Sequence, residues 1–221
     1  MASAFRRTRA GCSRTSAGIL KTPVIMCGLA GVVRRDGPVA VDPFGLAEAL
    51  SAALAHRGPD GRGCWLSPDR DVLLIHRRLA IIDPGPDGAQ PMATDDGRRR
   101  IVFNGEVYNY HELRRELESS GERFATASDT EVLLRLIARE GPAALSRVRG
   151  MFAFACWDGR DRSLLLARDR FGIKPLYVAA PGDTSRSPRS SARCARRDSS
   201  MVDRRRPAYS RSCRGAAFRP R

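Results

Sequence analysis

Where the apolar periodicity lies is the feature that most constrains this chain. Regular patterning begins abruptly at Met26 and stops after residue 180, so one core has to be assembled from residues 26–181. A body of that length can bury one substantial core. The charge divides in the same way. The whole chain carries 39 Lys and Arg against 24 Asp and Glu, a formal net charge of +15, which taken alone points to a polyanion partner. Residues 1–25 hold five cations and no acid, and residues 182–221 hold twelve arginines and three aspartates, which leaves the body at +1. The tail 182–221 also has eight serines and few large aliphatics. It cannot bury enough surface to offset the entropy of ordering and is expected to be disordered.

Composition excludes several classes. Six cysteines without C-x-x-C spacing argue against a disulfide scaffold, and three histidines with no H-x₃-H pair argue against a zinc site, so no metal is expected. A spanning helix needs about 20 apolar residues, and the sequence holds no such run, so no membrane partner is expected. The first 26 residues form a basic extension, acid-free and transit-like in composition, although Lys21 and Pro23 break any secretory apolar stretch. The expected compartment is a reducing cytoplasm.

Within the body, residues 27–33 (CGLAGVV) read as a buried strand followed by a turn at Asp36-Gly37. Leu46, Ala47, Leu50 and Leu54 recur at helical spacing behind Pro43, which predicts a helix over 43–55. Short strands are predicted at 71–75, 79–82 and 100–103. Asn109 with Glu112 is placed to cap a helix over 111–119. Ser128 with Glu131 forms a capping-box pattern for a helix over 129–140, stopped by Gly141-Pro142. Residues 151–157 and 163–167 pair as a hairpin across Asp158-Gly159, with too little polar alternation for an exposed face. Strands, a helix, strands, two helices and strands, in that order, suit a layered α+β domain better than a parallel βαβ array.

Four clusters stand out: Met26-Cys27-Gly28, His56-Arg57-Gly58-Pro59-Asp60, Asn104-Gly105-Glu106 and Ser128-Asp129-Thr130-Glu131, with His76-Arg77-Arg78-Leu79 between the second and third. Each alone has a plain structural reading. The cysteine is a small core residue, the H-R-G-P-D run a tight turn, Asn-Gly a hairpin signal, and Ser-Asp-Thr-Glu a helix start.

Together, and in this order, they resemble the glutaminase domain of class II glutamine amidotransferases. The resemblance is strongest to the amino-terminal half of glutamine-hydrolysing asparagine synthetases. It runs from Met26 to about Tyr177 and rests on MCGLAGVV, HRGPDG, HRRLAIID, GAQPM, VFNGEVYNY, SDTEVLL, RGMFAFACWD and ARDRFGIKPLY. The resemblance implies a four-layer αββα sandwich of the N-terminal-nucleophile hydrolase type over 27–181, with glutamine as the small-molecule substrate. It implies Cys27 as the nucleophile that forms a glutamyl thioester. The base is the free α-amino group of the same cysteine, whose ordinary pKa of about 8 lies near the working pH. By the same resemblance Asn104, through its side chain, and Gly105, through its N–H, are the oxyanion donors, and Arg78 pairs with the substrate α-carboxylate. Glu106 and Asp129 accept from its α-ammonium group, and Arg57 supports the nucleophile. His56 and His76 are expected to be structural, because the mechanism leaves them no proton to move.

The sequence departs from the family in three places. A cysteine still joined to Met26 has an amide nitrogen and no base, so the extension is expected to be a mis-set start, a propeptide or a targeting segment. After KPLY the family's next strand and FASE-like phrase give way to Ser185-Arg186-Ser187-Pro188-Arg189, as a reading-frame change would produce, which is expected to leave a sheet edge exposed. There is no S-G-G-x-D phosphate loop. ATP and magnesium therefore belong to a synthetase domain or partner absent from this sequence, and this chain alone needs no cofactor and is not expected to make asparagine. Two other readings remain. One is a catalytically silent fragment whose basic tails bind nucleic acid non-specifically. No specific nucleic-acid partner is expected, since only Tyr209 and Phe218 lie in the second tail. The other is a sister class II amidotransferase with a different product, against which GAQPM and RGMFAFACWD favour the asparagine synthetase branch.

Overall fold

Side-chain alternation along two antiparallel sheets sorts the apolar residues into three clusters, and the site grows out of the face between the sheets. The computed structural model describes residues 26–34, 37–80, 85, 88–179 and the short strand 216–218. The readings made of the basic extension, of Asp36 and of most of the tail lie outside the described residues. The first sheet has the order β1-β3-β2, from β1 (Gly28–Val33), β2 (Gly61–Leu66) and β3 (Val72–Arg78). The second runs β4-β5-β6-β7-β8, from β4 (Met92–Ala93), β5 (Arg99–Val107), β6 (Gly150–Asp158), β7 (Ser163–Arg168) and β8 (Ala216–Phe218). The helices are α1 (Pro43–Ala53), α2 (Tyr110–Ser119) and α3 (Asp129–Glu140).

Successive residues of a strand face opposite ways. In β3, Leu73 and Ile75 therefore turn to Ala47, Leu50 and Leu54 on and just after α1, while Val72 and Leu74 turn the other way. There they meet Leu29, Val102, Ala155 and Trp157, which join the two sheets. On the far side of the second sheet, Ile101, Phe103, Phe154 and Cys156 pack against Leu113 and Leu117 of α2 and Val132, Leu133 and Leu136 of α3. Burying a side chain of this kind contributes about 1.5–3 kcal/mol, so each strand face holds its neighbour firmly. The architecture is mixed α/β with antiparallel sheets.

The helix starts follow local chemistry. Asp42 caps α1 by accepting from the Gly45 N–H (3.0 Å), with Pro43 in the first turn. Ser128 Oγ accepts from the Thr130 N–H (3.1 Å) and opens α3. Glu131 does not complete a capping box with Ser128. Its carboxylate reaches further back, to the N–H groups of Ala125 (3.0 Å) and Thr126 (2.7 Å), and so ties down the loop before the helix.

Four local expectations are corrected. Asn109 makes no cap bond to α2. Its carboxamide instead donates to the Arg147 carbonyl (3.0 Å) and accepts from the Arg149 N–H (2.9 Å), fixing the approach to β6. Asn104-Gly105 lies inside β5 rather than in a turn. The strand expected over 79–82 is not one at Leu79 and Ala80, because β3 runs on through His76, Arg77 and Arg78 and ends there. The strand β2, paired Gly61↔Arg78 to Leu66↔Leu73, was not predicted, since GRGCWL shows neither alternation nor an apolar run. At the other end of the chain, Ala216–Phe218 pairs antiparallel with Leu164–Leu166 of β7, on the edge expected to be bare.

Candidate active site

Three strand ends converge at one mouth of the gap between the sheets. Alternation in β5 puts Asn104 and Glu106 on the same face as Val102, the face toward the first sheet. The register Gly28↔Arg77 between β1 and β3 sets Cys27, one residue before β1, level with Arg78. As the chain leaves β3 it meets the cysteine: the Leu79 N–H donates to Cys27 Sγ (3.2 Å), and the thiol faces the Leu79 carbonyl (3.5 Å). Asp129, at the first turn of α3, accepts from the Val107 N–H (2.9 Å) and so fixes the helix start to the end of β5.

A cavity of about 110 Å³ opens there, lined by Cys27, Arg78, Asn104, Gly105, Glu106 and Asp129. These are six of the seven residues expected from sequence. The seventh, Arg57, does not line the cavity. It stands behind Cys27, where a Cβ on Gly28 would come within 3.1 Å of Arg57 Cβ, and its Nε is buried with no hydrogen-bond partner among the described residues. The Asn104 carboxamide is buried and makes no hydrogen bond to another described residue, while Arg78 donates to the Gly85 carbonyl (2.7 Å). Gly105 is required by space: a Cβ there would lie 2.1 Å from the Met151 carbonyl oxygen of the adjacent strand.

Burial dominates the electrostatics of the cavity. Burial pushes the Cys27 thiol up, opposed by its backbone hydrogen bonds and by the positive charges of Arg78 and Lys174. Burial also lifts Asp129 to about 6, with the Glu106 charge adding to it and the Val107 and Thr130 N–H groups opposing. An ammonium group held between Glu106 and Asp129 would reverse that shift. Cys156 lies in the core beneath α3, where burial drives it up to about 12 and makes it inert. Among the described residues no cluster of His, Cys, Asp and Glu could hold a metal ion, and no helix is long and apolar enough to cross a membrane.

His76 is buried, with Nε2 on the Phe103 carbonyl (3.0 Å), and burial lowers it to about 4. It stays neutral and bridges the sheets. Two lining residues were missed from sequence. Gln90 accepts from the Phe103 N–H (2.6 Å) and donates to Thr130 Oγ1 (3.3 Å), bracing β5 against α3. Lys174 is 3% exposed, with Nζ on Met26 Sδ (2.7 Å). Both lie in phrases of the resemblance, GAQPM and ARDRFGIKPLY.

The profile of the glutamine amidotransferase domain matches residues 26–196. The chain belongs to this family. Among curated relatives, the amidotransferase domain is 46% identical over 160 residues to asparagine synthetase [glutamine-hydrolyzing] 1 of Bacillus subtilis, covering 72% of this chain and 25% of that protein. It is 38% identical over 153 residues to asparagine synthetase [glutamine-hydrolyzing] 2 of the same organism, covering 69% and 20%. The chain thus spans about a quarter of the length of the curated relatives it matches. Among solved structures, glutamine phosphoribosylpyrophosphate amidotransferase from B. subtilis matches with a TM-score of 0.54 at 24% identity, over 72% of this chain and 40% of that one. At that identity the likeness supports the fold alone.

Proposed function

We propose that this amidotransferase domain hydrolyses the side-chain amide of glutamine to glutamate and ammonia through a thioester on Cys27. The observation that carries the reading is the convergence of Cys27, Asn104, Gly105, Arg78, Glu106 and Asp129 on one cavity small enough for a single zwitterion. Cys27 Sγ attacks the amide carbon, and its proton passes by way of the Cys27 α-amine to the leaving nitrogen, which departs as ammonia. Water then cleaves the thioester and restores the thiol. The tetrahedral oxygen receives hydrogen bonds from the Asn104 carboxamide and the Gly105 N–H; losing one such donor typically costs about 10²–10³ in rate. Arg78 takes the α-carboxylate through its guanidinium fork. Glu106 and Asp129 take the α-ammonium, and Arg57 supports Cys27 from behind. A cysteine nitrogen acts as a base only as a free amine, so the reading requires that the bond between Met26 and Cys27 be cut.

The three apolar clusters, with helices outside both sheets, support a four-layer αββα sandwich of the N-terminal-nucleophile type for residues 27–181. The likeness to asparagine synthetases supports delivery of the ammonia to aspartate by a synthetase domain, with ATP and magnesium serving that step only. The test is glutamate release from glutamine by protein whose first residue is Cys27, beside its Cys27→Ala variant. Release that vanishes in the alanine variant is expected. Release that persists at the parent rate rejects Cys27.

A further inference from the structure

Of the phrase ARDRFGIKPLY, Ala167 and Leu176 pack with the apolar clusters, but none of it is among the six lining residues named above, and it carries one of only two lysines in the chain. Lys174 reaches the site through a turn built on one carboxylate. Asp169, 3% exposed, accepts from the N–H groups of Phe171 (3.0 Å) and Ile173 (2.9 Å) through Oδ1, and from those of Phe152 (3.2 Å) and Lys174 (2.9 Å) through Oδ2. The Asp169 N–H donates in turn to the Phe152 carbonyl (2.7 Å). Two of these five hydrogen bonds, both with Phe152, fasten the turn to β6, and the other three shape the turn and fix where the Lys174 side chain starts. The side chain is buried, and its head lies 2.7 Å from the sulfur of Met26, the residue bonded to Cys27.

Desolvating an ammonium is costly unless it acts on a nearby charge. The charged and titratable groups around Lys174 come from every neighbouring element: Cys27 ahead of β1, Arg57 in the turn after α1, Glu106 on β5 and Asp169 on its own turn. Arg78, at the end of β3, acts on the same cysteine. A thioether gives the ammonium only a weak acceptor; burial and Arg57 work against the charge of Lys174, and Glu106, Asp169 and Cys27 favour it in that order, with Cys27 and Glu106 lining the same cavity as the lysine.

We propose that Lys174 is a positioning residue of the nucleophile, a fixed positive charge held by the Asp169 turn that favours the Cys27 thiolate. The inference deepens the glutamine-hydrolysis reading and rests on its choice of Cys27. The same charge opposes protonation of an α-amine on Cys27 and so keeps that amine available as a base.

The test is site-resolved alkylation of the full 221-residue chain by iodoacetamide, following the Cys27 peptide by mass spectrometry across the thiol titration, with exposed Cys64 as internal reference. Lys174→Met should slow Cys27 about three- to tenfold at neutral pH and move its midpoint upward, since one pKa unit is tenfold in thiolate. Cys64 should be unaffected, and Lys174→Arg should stay within about twofold of the parent. Lys174→Gln, which keeps a polar head without the charge, gives the same reading should the methionine variant not fold. An unchanged Cys27 midpoint in the uncharged variants overturns the proposal, as does an arginine variant as slow as the methionine one, which would mark a packing role. Alkylation is read without glutamine. Hydrolysis that survives Cys27→Ala would sink the functional reading while leaving the alkylation result standing.

Discussion

The second sheet has two ends, and aspartates beside those ends are treated in opposite ways. At the far end, burial works against Asp158, but hydrogen bonds from Arg98, the Asp161 N–H and Arg99 outweigh it and hold the carboxyl down at about 2. Arg162 likewise bridges Asp69 and Asp71, tying the start of β3 to the β6–β7 turn. At the site end, Asp129 has the like charge of Glu106 beside it, and burial lifts it to about 6. The far end sets arginines against its carboxylates, whereas burial and the like charge of Glu106 act together on Asp129. The same residue type is therefore held ionised at one end of the sheet and pushed toward its neutral form at the other, and raised carboxyls of that kind cluster at functional sites.

Breaking the far end should give the largest change in stability. Asp158→Ala leaves Arg99 with no acidic partner among the described residues and Arg98 with Asp161 alone (3.4 Å), and should cost about 3 kcal/mol in a denaturant titration, with KM for glutamine unmoved. A raised KM in the folded variant would mean that the two ends are not separate. Asn104→Ala should do the reverse, lowering kcat for glutamine hydrolysis by about 10²–10³ with little loss of Tm.

Asp129→Asn keeps an acceptor for the Val107 N–H but removes the charge, and should raise KM about tenfold. Its pH behaviour sharpens the contrast. The unliganded fold favours protonated Asp129, whereas an α-ammonium requires it ionised. In the parent protein KM should therefore climb as pH falls through about 6, and this inflection should be missing in Asp129→Asn. Asp158 gives no such inflection. Its depressed pKa contributes stability that is full above the ordinary aspartate range and is lost only as pH falls toward 2. The smallest effect belongs to the exposed pair Arg62–Glu48 (3.0 Å), where Arg62→Ala should stay within about 0.5 kcal/mol.

Much of this arrangement was legible in the sequence, because it follows from local chemistry. The β6–β7 hairpin shows in its apolar runs and Asp158-Gly159 turn, and α3 shows in Ser128 and Gly141, residues that act as start and stop signals wherever they fall. All seven expected site residues were legible because each lies in a phrase of the resemblance, and six of them share the cavity. What escaped depends on partners distant in sequence. Asn109 looks like a cap, but its carboxamide serves backbone 38 and 40 residues away. The strand β2 has no pattern of its own and exists because β3 offers it a ladder. The charged run His76-Arg77-Arg78 reads as a break, yet the strand continues through it, since His76 finds a carbonyl on the facing sheet and Arg78 emerges at the mouth. Lys174 escaped because nothing near it in sequence says that the Asp169 turn carries it to Met26.

The central claim is that Cys27 is the group that bonds to glutamine. The most direct measurement is intact-protein and peptide mass spectrometry after incubating protein that begins at Cys27 with a diazoketone analogue of glutamine, which alkylates the thiol that attacks it. A single adduct confined to the Cys27 peptide, slowed by excess glutamine and absent in Cys27→Ala, is the predicted result. An adduct on Cys64 or Cys156 that glutamine does not compete for, with Cys27 unmodified and hydrolysis intact, would contradict it.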